Sequence, residues 1–244
     1  MEKMKTNSVN FLWRSAGAAA VISFGLTAVA IGICIAGAPI GHVEKFFQQS
    51  MVERGEVGTA KSTPLHQAEN IFEDDRVYTG ETSRLHLRFR DRTYIEIGPR
   101  SSFSAERIHR GAGAVEESVF RFYYGVARIT AINAQDWVQF YVKSADLIFR
   151  VKGPTDFFLS KTKAGGELSV SVRKGKIEMS SAVRGIKAEV GEGKVRTVRY
   201  DGTFRDSAPL TDAWLSRLKE STKILLESDP GSVETSSMTK GILK

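Results

Sequence analysis

Hydrophobic and polar positions alternate strictly from Arg84 to Arg90. An extended strand there puts Leu85, Leu87 and Phe89 on one face and Arg84, His86, Arg88 and Arg90 on the other. Asp91-Arg92 marks a turn, and the return strand runs from Thr93 to Ile97 before Gly98-Pro99 stops it, so a half-buried hairpin is predicted. The same texture continues over 119–130, 137–142, 147–151, 157–160, 168–173, 176–179, 186–190 and 195–200. Each run is short, rich in β-branched or aromatic residues, and bounded by Gly, Asp, Asn or Lys-Gly turns. That spacing predicts a mainly β domain over 42–205, built as a sandwich, roll or β-helical wrap. The periodicity changes late. Thr211 is positioned to cap a helix over 211–227 that carries Trp214, Leu215, Leu218, Leu225 and Leu226 on one side, with Asp212 in its first turn. The Ser-, Thr- and Gly-rich segment 228–244 reads as a disordered tail.

The N-terminus has a different pattern. No charged residue occurs from Ser15 to Gly41, and Ala, Gly, Val, Ile, Phe and Leu dominate. A membrane helix needs about 20 apolar residues, so residues 15–41 are long enough to cross a bilayer. Lys3, Lys5 and Arg14 precede the run and predict a cytoplasmic stub of residues 1–14, with the rest of the chain exported. An uncleaved anchor is the first reading, which places the protein in the inner membrane with its domain in the periplasm. A signal peptide cut after Ala36-Gly37-Ala38 competes with it, although Pro39 follows at once. A lipoprotein at Cys34 is a third reading, weakened by Ile33 before that cysteine. Cys34 is the sole cysteine, so the domain holds no internal disulfide.

Composition narrows the class. With 41% hydrophobic and 26% charged residues, neither global disorder nor a multi-span membrane protein fits. A net charge of +7 favours anionic surfaces, such as lipid headgroups or acidic polysaccharide. Nucleic acid fits the charge but not an exported compartment. Catalytic constellations are missing. His42, His66, His86 and His109 show no metal spacing, and neither Gly-x-Ser-x-Gly nor a phosphate-binding Gly-x-x-x-x-Gly-Lys occurs. No metal or cofactor is implied; Glu73-Asp74-Asp75 offers oxygen ligands but reads as a solvated turn. Two surface features are candidates for recognition. The row Arg84, His86, Arg88, Arg90 spaces its side chains about 6–7 Å apart, and its charges need carboxylates or an outside anion to compensate. Glu96 on the partner strand is one such carboxylate. Trp137 with Tyr123, Tyr124, Phe140 and Tyr141 reads as sheet packing or as a sugar-stacking platform.

Four segments in order resemble the FecR domain. Ile71–Ser102 is similar to that family's Gly-Asp-x-Val-x-Thr-Gly, alternating strand, Phe-x-Asp-Gly-Thr and Gly-Pro-x-Ser pattern, with Thr79, Gly80 and Asp91 at motif positions. Gly125-Val126-Ala127-Arg128 resembles its Gly-x-x-Arg strand. Val151–Phe157, with Lys152, Gly153 and Thr155, resembles Val-Arg-Gly-Thr-x-Phe, and Val172–Ile177, with Gly175, resembles Val-x-x-Gly-x-Val. Three departures stand out. Arg92 replaces a glycine, which predicts a turn that avoids positive φ. Lys152 replaces an arginine and loses its forked donor geometry. Pro154 predicts a bend. The resemblance implies a periplasmic fold, a twisted β-helix or β-roll of short strands, acting as a non-enzymatic binding and sensing module for another envelope component, with an envelope protein as the partner. It does not imply sigma-factor control by this chain, because 14 residues cannot fold as a module. The alternative is an exported envelope-binding or structural protein attached to polysaccharide or cell wall.

Overall fold

The structure, a computed structural model, describes residues 37–55, 59–110, 115–132, 139–163, 166–199, 201 and 203–223. The stub predicted to be cytoplasmic and nearly all of the apolar run 15–41 lie outside the described residues, as does the tail 228–244. Among the described residues, no helix is long and apolar enough to cross a membrane.

In chain order the strands begin with β1 (Gly41–Phe47), β2 (Ser50–Arg54), β3 (Lys61–Pro64), β4 (Asn70–Ile71) and β5 (Arg76–Thr79). The predicted hairpin follows as β6 (Arg84–Phe89) and β7 (Tyr94–Ile97), in the register Leu85↔Ile97, His86↔Glu96, Leu87↔Ile95. Then come β8 (Ser102–Arg110), β9 (Val115–Ala131), β10 (Gln139–Ser144), β11 (Leu147–Lys161) and β12 (Leu168–Ser181). The series ends with β13 (Ile186–Gly191), β14 (Lys194–Val198), β15 (Ala208–Pro209) and the helix α1 (Asp212–Thr222). The mainly β class with one C-terminal helix is therefore as expected. Thr211 is the N-cap, its hydroxyl accepting from the Trp214 amide at 3.3 Å. The predicted extension to 227, with Leu225 and Leu226, lies outside the described residues.

The expectation of short strands needs correction. Residues 147–151 and 157–160 belong to the single 15-residue β11, and 168–173 and 176–179 to the 14-residue β12. These long strands change neighbours halfway. The first half of β9 pairs with β8 and β10, and its second half with β7 and β11. β11 passes from β10 to β9, while β12 passes from β14 to β13. The parallel stacking that a β-helix uses occurs among the described pairings only between β9 and β10. The result is one unclosed sheet folded back on itself, with a single apolar core between its halves. Phe89 of one half meets Phe120 of the other edge-to-face at 5.0 Å.

Two glycines make the folding possible. Along β9 the core positions change from Phe120 and Phe122 to Ala127, Ile129 and Ala131, and along β12 from Leu168, Val170 and Val172 to Ile177 and Met179. Each change of parity requires one irregular residue, as in a β-bulge. Gly125 (φ +99°) and Gly175 (φ +84°) supply it. A side chain at Gly175 would come within 2.6 Å of Thr155 Oγ1 and 2.7 Å of the Pro154 carbonyl, and one at Gly125 would collide with the Ser101 backbone. The bend expected at Pro154 is a slip in register: pairing jumps from Lys152↔Lys176 to Asp156↔Lys174 without breaking β11.

The hairpin turn overturns one expectation. Arg92 sits at φ +66°, in the left-handed region. The Asp91 carboxylate accepts from the Thr93 amide at 2.8 Å and from Ser118 Oγ at 2.6 Å, while Arg92 N donates to the Phe89 carbonyl at 3.0 Å. These bonds fix a loop whose last residue must be left-handed, whichever side chain it carries.

Candidate functional site

Pairing across five strands aligns His86, Glu96, Arg128, Phe158 and Ser171 in one row on the outer face of the sheet. Four inter-strand gaps span about 19 Å. The 11 residues of α1 are about 16 Å long and lie across this row. At one end Trp214 Nε1 donates to Ser171 Oγ at 3.1 Å; at the other, Thr222 Oγ1 donates to Glu96 at 3.2 Å. Leu218 and Thr222 are the helix's buried residues. Phe158 is fully buried although it stands outside the interior core, in keeping with an outer-face position under the helix.

The end of a helix leaves carbonyls without intrahelical partners and carries partial negative charge. Two members of the predicted basic row sit there. Arg84 Nε donates to the Ser221 carbonyl at 3.1 Å, and His86 Nε2 is 3.0 Å from the Thr222 carbonyl. Arg88 and Arg90 are exposed beyond the helix, with Arg88 stacked over Tyr94 at 5.3 Å. The anion that part of the basic row meets is thus the chain's own helix terminus.

Beneath the helix lies a charged network. Arg128 forks onto Asp156 (Nε–Oδ1 3.1 Å, Nη2–Oδ2 2.9 Å) and reaches Glu96 at 3.2 Å, while Arg173 Nε adds a 2.6 Å bond to Asp156. Asp156 is only 3% exposed. Burial pushes its carboxyl up, but the bonds from Arg128 and Arg173 outweigh this and hold it below the ordinary carboxylate range. Sequence reading passed over Asp156 as a site, although a lone acid directly before Phe157-Phe158-Leu159 signals a buried charge that requires a cation.

The motif positions do not gather into one pocket. Thr79 Oγ1 donates to the Gly98 carbonyl and accepts from Ser101 N, and the Gly80 carbonyl accepts from Arg100 N, which ties the Gly-Pro stop against the corner at Gly125. Gly153 (φ +69°), Thr155 and Gly175 form the second corner, where Thr155 Oγ1 donates to the Gly153 carbonyl. Lys152 makes a single 2.7 Å bond to Glu178. Asp91 orders the hairpin turn, and Arg128 alone of the set enters the network under α1. Phe140 belongs to the core, Tyr123 stacks on Arg76 at 3.7 Å, and Trp137 lies outside the described residues. Asp75 is engaged by Arg54 and the Phe72 amide, and no metal-binding cluster occurs among the described residues.

Residues 75–178 match the family model described as FecR protein. Two crystal structures of a "putative anti-sigma factor" from Parabacteroides distasonis ATCC 8503, at 2.50 Å and 1.65 Å, are 13% and 12% identical to the chain, each with a TM-score of 0.48. They cover 58% of this chain, which spans 62% of theirs. No curated protein matches it.

Proposed function

We propose that the chain is a non-catalytic recognition module of the FecR type, tethered to the inner membrane through the apolar run that starts at Ser15 and ends before β1, whose periplasmic domain senses another envelope protein. The observation that carries this reading is the FecR match over 75–178, within which the family positions serve folding and internal pairing rather than a reaction centre. Arg88 and Arg90, exposed beside the docked helix, are the partner-facing end of the basic row. A photo-crosslinking residue at Arg88, introduced in living cells, is expected to yield one discrete adduct with an envelope protein. A phosphatase fused after Arg205 is expected to be active. An inactive fusion overturns the export, and absence of a discrete adduct overturns the partner face.

Attachment to an anionic envelope polymer is the second reading. Arg107, Lys143, Arg150 and Lys187 surround Tyr141 and the 37%-exposed Ile148 in a shallow groove, outnumbering Glu117 and Glu178 in the same wall. Cosedimentation of the protein with isolated cell-wall polymer, lost in Arg150→Glu/Lys187→Glu, would favour it.

A further inference from the structure

At one open end of the folded sheet lies a cavity of about 430 Å³ between its two halves. Ser144 and Leu147 wall it from one half, and Lys161, Leu168 and Val198 from the other. Lys161 follows the core residues Phe157 and Leu159 at the same two-residue period, so it falls on the inner face of β11. This cation has no ion pair among the described residues. Asp146, the acid in the same wall, is already held by Arg184 Nε at 2.8 Å and by Ser181 Oγ at 2.6 Å. Arg184 and Arg199 stand at the rim, the first paired with Asp146 and the second 3.9 Å from Glu167, so Lys161 is the cation of the wall that lacks a carboxylate among the described residues. Ser144 is fully buried, and its Oγ finds no hydrogen-bond partner among the described residues.

We propose that this cavity binds a small carboxylate with a short apolar chain, its carboxylate against the Lys161 ammonium and its chain against Leu147, Leu168 and Val198. A half-buried, unpaired ammonium is costly, and an anion entering from solvent removes that cost. In keeping with this, burial lowers the Lys161 pKa, and Asp146 offsets the effect only in part. The volume lies within the range of small-ligand sites, about 300–1,000 Å³. The apolar wall gives a hydrocarbon chain a contact that inorganic phosphate lacks. The site shares no residue with the face under α1 and does not depend on the sensing role.

Butyrate is the probe, titrated into the full-length chain in non-ionic micelles with lysine ¹³Cε resonances observed. Lys161→Met assigns the relevant signal. Butyrate is expected to shift the Lys161 resonance saturably and to raise its pKa, because a bound anion favours the charged form. Butyramide, its neutral isostere, is expected to leave the resonance in place. By calorimetry, Lys161→Met is expected to bind butyrate at least about tenfold more weakly. It is also expected to melt no lower than the parent, since it removes an unpaired charge. Failure of butyrate to saturate, an equal shift with butyramide or with phosphate, or a lower melting temperature for Lys161→Met would each overturn the proposal.

Discussion

Replacing Asp156 with Asn keeps the shape of the side chain and removes the charge on which Arg128 and Arg173 converge. The Asn amide NH₂ then faces guanidinium donors and matches none of them. Removing one partner from a buried ion pair costs about 3–5 kcal/mol, because the remaining charge is stranded. Here Arg128 retains Glu96, and the Arg173 side chain is 40% exposed and reaches water, so the lower end applies, about 3 kcal/mol. For a body of this size each kcal/mol moves the midpoint by about 2–4 °C, which predicts a fall of about 6–12 °C at pH 7. Thermal melts by circular dichroism on Asp156→Asn and the parent measure it. The pH dependence supplies an independent check. A carboxyl held below its ordinary value contributes stability that is present above the unfolded pKa of about 3.9 and lost as pH falls through the folded value. The gap between parent and variant is therefore expected to hold steady from pH 7 to about 5 and to close only in strong acid. A gap below about 2 °C at pH 7, or one that widens on acidification, would refute the assignment of Asp156 as the buried hub.

Arg92→Gly is expected to raise the melting temperature by a few degrees at most, because a left-handed non-glycine residue costs about 1–2 kcal/mol and glycine returns part of that as unfolded-state entropy; a lower melting temperature would show the turn to be unstrained. Arg84→Gln/His86→Gln is expected to speed amide exchange across α1 while the sheet keeps its protection, since both side chains hold the helix's last carbonyls. Hydrogen exchange read by mass spectrometry checks this, and unchanged protection of 212–222 would place the docking energy elsewhere.

Local features were legible wherever the physics is local. The period-two alternation of 84–90 is enough to bury Leu85, Leu87 and Phe89, because adjacent side chains on a strand leave opposite faces. Thr211 was recognisable as a cap because its hydroxyl serves an amide three residues away. The turn at Arg92 misled, because its backbone is dictated by Asp91, whose partners are Thr93 in the turn itself and Ser118 on the distant strand β9.

Alternation, turn residues and the capped late helix in the sequence determined a mainly β domain with one C-terminal helix, along with the order of the FecR segments. Tertiary structure alone decided that β9, β11 and β12 run through their bends into the second half of the sheet. A bulge conserves chain continuity while exchanging every hydrogen-bonding partner, and sequence texture does not register which neighbour a strand has. The same holds for the basic row. Arg84 and His86 are charged and regularly spaced in any reading, but the carbonyls they meet belong to a helix more than 130 residues later. A long-range contact of that kind exists only once the fold has brought the two segments together.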